Sequence, residues 1–160
     1  RLAAVPLPWE GSIDSVSTNP GEDGAWLDDS GWLLPYTTFR HDPASGRTEP
    51  AGLAPPAKLD LSAYEAVRLT VTARDGTKVP LSVVARKGLK RDGSNPAFIS
   101  AYGSYGSPGY RPSFAGRTLA LIDQGAIVGY AAVRGGGEYG RDWHRAGFTF
   151  HLFPGISTYL

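Results

Sequence analysis

The chain is 160 residues long, 41% hydrophobic and 19% charged, a balance that supports a buried core and excludes a disordered polyelectrolyte. Its net charge of +1 argues against a nucleic-acid or acidic-membrane surface, which needs a clustered excess of Lys and Arg. The lack of cysteine excludes disulfides, thiol nucleophiles and zinc–thiolate sites and leaves the compartment open. No apolar run reaches the about 18 residues of a membrane helix.

The chain opens at Arg1 and contains no methionine, from which we expect a fragment of a longer protein. Residues 1–60 are rich in Trp, Pro, Gly and Asp. Short apolar pieces, Gly31-Trp32-Leu33-Leu34 and Tyr36-Thr37-Thr38-Phe39, lie between turn signals at Asn19-Pro20-Gly21 and Asp42-Pro43. That pattern predicts short antiparallel strands, too few to bury both faces of a sheet. Residues 52–56 read as a linker. From Glu65 to Arg74 apolar and polar side chains alternate, the signature of a half-buried strand. Asp75-Gly76 is a hairpin pair, and Val79 to Arg86 returns as the second strand, with Pro80 near its start. The cluster Arg86, Lys87, Lys90, Arg91 reads as a solvated hairpin end. Ala97 to Ala101 is a short strand. Pro112 to Gln124 reads as a helix, with Pro112 at its first position and Gly125 just past its end. Ala126 to Val133 is an apolar strand, expected parallel to 97–101 because a helix joins them. The fold class is α/β: short strands, then a hairpin, then βαβ.

Two of these strand ends open into loops of glycine and tyrosine, Tyr102-Gly103-Ser104-Tyr105-Gly106 and Val133-Arg134-Gly135-Gly136-Gly137-Glu138-Tyr139-Gly140. In open α/β sheets ligands bind outside the carboxyl ends of the strands, so these loops are expected to build a site. The second loop satisfies G-x-G-x-x-G, yet the acid expected about 20 residues on is missing and Glu138 would face a pyrophosphate with negative charge. His41, His144 and His151 are scattered, without metal-ligand spacing. Neither Ser104 nor Ser107 lies in a G-x-S-x-G elbow. No cofactor and no metal is expected. Tyr102 follows a strand as an oxyanion-loop donor would. Packing of Tyr102 and Tyr105 over the sheet edge is the competing reading, and the residues alone leave both open.

Asp75-Gly76-Thr77-Lys78-Val79-Pro80, Lys87-Gly88-Leu89-Lys90-Arg91-Asp92-Gly93 and Pro96-Ala97-Phe98 resemble the entry to the catalytic domain of the prolyl oligopeptidase family. Tyr102-Gly103-Ser104-Tyr105-Gly106 is similar to its oxyanion loop. The run from Val133 to Gly140, with Trp143-His144 and Gly147, is similar to its most recognisable motif. The match runs from Tyr64 to Gly147. It implies a serine peptidase acting on short peptides, with no nucleic-acid or membrane partner, built as an α/β-hydrolase domain capped by a β-propeller. On that reading residues 1–60 are the end of the propeller and a linker, and 61–147 are the N-terminal part of the hydrolase domain. Residues 148–160 depart from the family and form a divergent tail. Tyr102 matches the tyrosine that helps stabilise the tetrahedral oxyanion, and Tyr105 an aromatic lining the P1 pocket. Arg134 and the triple glycine match a structural turn. The family's nucleophile, acid and histidine fall beyond Leu160, and neither His144 nor His151 matches the triad histidine. The chain alone is therefore expected to be inactive. The alternative is a non-catalytic remnant or binding module that keeps only the sheet edge. A preference for proline or a basic residue at P1 is not legible.

Overall fold

Four short strands come first, β1 (Ser12–Ser17), β2 (Ala25–Ser30), β3 (Thr37–Asp42) and β4 (Arg47–Pro50), paired antiparallel in sequence order. The computed structural model describes residues 4–7, 11–55, 58–90 and 92–147. Within them the chain divides into two compact units, one holding residues up to 61 with 112–115, the other 62–111 and 116 onward.

In the first unit, turn side chains do the work expected of them. The Gly21 amide donates to Asn19 Oδ1 at 3.0 Å and the Glu22 amide to the Asn19 carbonyl at 3.1 Å. Asp42 takes the Ser45 hydroxyl at 2.7 Å and the Ala44 amide at 2.9 Å, bonds that hold its carboxyl below the usual range. Leu27 and Phe39 face each other in the β2–β3 register and form the core, 5% and 4% exposed. Asp29 shares that buried face, and burial pushes its carboxyl up. Residues 31–34, expected as a strand piece, instead reverse the chain, with the Gly31 amide donating to the Leu34 carbonyl at 3.0 Å. Pro35 explains the shift, because it has no N–H for a ladder and holds the residue before it extended.

The second unit contains β5 (Tyr64–Thr72), β6 (Lys78–Arg86), β7 (Ala97–Ala101), α1 (Gly116–Asp123), β8 (Ile127–Ala131) and α2 (Gly140–Ala146). Its sheet runs in the order β5-β6-β8-β7. β5 and β6 form the expected hairpin, and β7 lies parallel to β8 with Ala101 beside Ala131. Pro80 is tolerated because its backbone faces β8 just past the end of that ladder; its carbonyl takes the Ala132 amide at 2.9 Å. Val84, Ile122, Val128 and Val133 are at most 2% exposed and make the core.

Helix α1 begins at Gly116, four residues later than Pro112 suggests. Residues 112–115 belong with the first unit, where the Pro112 carbonyl lies 3.5 Å from the Ser30 hydroxyl. The helix ends as expected. Gly125 has φ +84°, and the Gly125 and Ala126 amides donate to Ile122 and Leu121 carbonyls at 2.9 and 3.2 Å, a Schellman cap. Asp123 takes the Tyr64 hydroxyl and the Arg86 guanidinium, each at 2.8 Å, and both hold its carboxyl low. Arg86 is thus ion-paired rather than part of a purely solvated basic end, and Arg91 lies outside the described residues.

Candidate active site

Because β7 and β8 are parallel and in register, their carboxyl ends deliver both glycine–tyrosine loops to the same end of the sheet. The loops then touch backbone to backbone. Gly135 has φ +94°, and a Cβ there would run into the Gly103 carbonyl oxygen. At Gly103, with φ +62°, a Cβ would likewise collide with Val133 and the Arg134 carbonyl. Only glycine permits both the positive φ and this approach. Two amide bonds fasten the contact: Gly106 to the Gly135 carbonyl and Gly137 to the Ser107 carbonyl, each at 3.0 Å.

Tyr102 and Tyr105 sit in the loop held this way. Tyr102 is the first residue past β7 and is 48% exposed, with Gly109 leaving room for its ring. Tyr105 is 87% exposed and adopts φ +59°, alone among the described non-glycine residues in having a positive value. Such backbone strain persists where surrounding contacts over-determine it, and it clusters at functional sites. Beneath the loop, Ser100 and Tyr110 share a hydroxyl hydrogen bond, the Tyr110 and Tyr130 rings lie 5.4 Å apart, and the Tyr130 hydroxyl meets Thr118 of α1 at 3.1 Å. This chain of hydroxyls and rings fixes the floor of the loop against both β8 and α1.

Arg134, at the start of the second loop, is committed elsewhere. Arg134 Nη1 pairs with Asp75 Oδ2 at 2.6 Å and donates to Thr77 Oγ1 at 3.2 Å, tying the end of β8 to the β5–β6 turn. Hydrogen bonds from Thr77, and then from Arg134, hold the Asp75 carboxyl below its usual range. Glu138 lies over Gly136 with one carboxylate oxygen buried. The glycines open not into a helix but into a turn, and α2 begins only at Gly140, so the G-x-G-x-x-G spacing here builds no phosphate cradle.

Sequence reasoning missed α2. It has seven residues and buries none, so no hydrophobic period announces it. The available signal is charge, with Asp142 in the first turn and His144 and Arg145 in the last, as the helix dipole favours. The helix is pinned to the second loop by Trp143 Nε1 on the Val133 carbonyl at 3.0 Å and by the Gly135 amide on the Trp143 carbonyl at 3.1 Å. His144 Nδ1 contacts the Gly135 carbonyl at 2.7 Å. His41 instead bonds Thr48 at 3.0 Å on the first unit's sheet, and His151 and the tail at 148–160 lie outside the described residues.

No protein-family model matches the chain. A prolyl endopeptidase of Elizabethkingia meningoseptica is 31% identical over 146 residues, 91% of this chain and 20% of that protein. A structure from a study of two prolyl endopeptidases superposes with a TM-score of 0.82 at 30% identity, covering 91% of this chain and 21% of that one. Prolyl oligopeptidase B of Galerina marginata, solved with a 35-residue hydrolysis and macrocyclization substrate, gives 0.79 at 29% identity, covering 91% and 20%. The chain spans about a fifth of the length of the curated relatives it matches. By sequence and by fold, the chain belongs to the prolyl oligopeptidase family of serine peptidases.

Proposed function

We propose that this chain carries the oxyanion side of a serine peptidase site acting on short peptides. Residues 61–147 read as the N-terminal part of an α/β-hydrolase domain, a reading supported by the β5–β6 hairpin and the parallel β7–α1–β8 unit. Residues 1–60 read as the end of a propeller, supported by the antiparallel meander β1–β4. The observation that carries the proposal is the half-exposed position of Tyr102 at the carboxyl end of β7, in a loop hydrogen-bonded to the one after β8.

The chemistry is acyl transfer. A serine oxygen outside residues 1–147 attacks the scissile carbonyl, its proton passing to a base that is likewise outside this segment. The carbonyl oxygen becomes an anion, and the Tyr102 hydroxyl donates a hydrogen bond to it. Collapse breaks the C–N bond, the base returns the proton to the leaving amine, and water then hydrolyses the acyl-enzyme. Tyr105, exposed beside Tyr102, lines the substrate pocket with its flat ring. In the full-length protein, Tyr102→Phe should lower kcat by about 100- to 1,000-fold with little change in KM, the cost of one oxyanion donor. A steady-state assay with a chromogenic peptide measures this, and an unchanged kcat would overturn the proposal.

A further inference from the structure

We infer that His144 is a positioning residue, clamping the loop that carries Tyr102 and Tyr105; this rests on the peptidase reading above. The Gly135 carbonyl receives two donors at once, the Gly106 amide at 3.0 Å and His144 Nδ1 at 2.7 Å. A carbonyl only accepts, so Nδ1 carries the proton in the neutral ring as well as in the cation. The imidazole also covers Gly106: a Cβ there would lie 3.1 Å from its Cγ, 3.2 Å from Nδ1 and 3.3 Å from Cδ2.

These contacts fall on the residue next to the strained one. Tyr105 at φ +59° needs its neighbours held, and Gly106 is held by its amide bond on one side and by the ring on the other. The ring itself stands on a helix already fastened through Trp143 to Val133 and Gly135. His144 thus joins an anchored helix to both loops, and nothing in its role requires it to touch substrate. Without it, the Gly135 carbonyl loses one donor and space opens beside Gly106. The Tyr105 backbone can then relax, taking the Tyr102 hydroxyl out of register with the oxyanion.

The test uses the full-length protein and compares His144→Phe, which keeps a ring without the donor, with His144→Asn, whose amide nitrogen falls near the Nδ1 position. Tyr102→Phe runs in parallel. The expected result is a kcat about 100-fold lower in His144→Phe with KM moving less, and substantial recovery in His144→Asn. Deuterium uptake of the peptide covering 102–109 should quicken about tenfold in the Phe variant and stay near wild type in the Asn variant, as loss of one hydrogen bond predicts. Should His144→Phe fail to fold, His144→Ala takes its place with the same readouts. The inference is overturned by wild-type exchange in His144→Phe, by no recovery in His144→Asn, or by an unchanged kcat where Tyr102→Phe is impaired. If Tyr102→Phe is fully active, or the wild-type protein turns over no peptide, the peptidase reading fails, and exchange alone then decides the clamp.

Discussion

At Gly135 a single missing side chain lets two loops meet. Gly135→Ala should destabilise the protein by about 1–3 kcal/mol from its positive φ alone, with the collision against Gly103 adding to that. Chemical denaturation reads this as a lower midpoint, and an unchanged midpoint would mean that the loops separate freely. The Asp75–Arg134 pair makes a pH prediction. The Asp75 carboxyl is held below the ordinary aspartate value of about 3.9, so its contribution is fully present above that value and is lost as pH falls through the lowered one. Asp75→Asn preserves an acceptor for the Thr77 amide but removes the charge. It should flatten the decline of thermal stability between about pH 5 and pH 2, and an acid limb as steep as wild type would assign that decline to other carboxylates. Tyr102 and Tyr105 were legible as candidates from their place after a strand. The positive φ at Tyr105 was not, since the neighbouring Gly106 is held by Gly135 and His144, partners distant in sequence.

Among the elements, the β5–β6 hairpin is readable because everything that specifies it is local: period-two alternation on both arms and an Asp-Gly turn. The end of α1 is readable for the same reason, through Gly125. Its start is not, because the Pro112 carbonyl takes up a partner some eighty residues earlier, a tertiary choice that outweighs a good helix-opening residue. α2 is illegible because its stability comes from bonds to the turn before it rather than from an apolar stripe. α1 sits at the opposite extreme. Ile122 is 0% exposed, and Ile122→Ala should cost about 2–5 kcal/mol. Denaturant titration checks this; a loss below about 1 kcal/mol would mean that the helix packs loosely on the sheet.

For the molecule as a whole, each of the two units has its own sheet, and both sheets are open. Phe98 and Ile99 on β7 are 56% and 63% exposed, the kind of apolar edge on which further strands or copies pair. With no G-x-S-x-G in the sequence, the purified 160-residue chain should not hydrolyse a chromogenic peptide. Turnover that follows the protein through further purification would contradict this. The family was legible in short, glycine-anchored motifs, because those fix backbone geometry that few other residues can replace.

The β8 pairing carries a consequence for how the site comes into being. β5 and β6 find each other across a five-residue turn, whereas β8 must join β6 from far along the chain and take β7 in parallel. Loop closure makes such distant pairings late events in folding. Both glycine–tyrosine loops hang from β7 and β8, so they are expected to acquire their geometry after the hairpin has formed. Gly135→Ala should accordingly hasten unfolding more than it slows folding, because a newborn chain is first a scaffold and only afterwards a site.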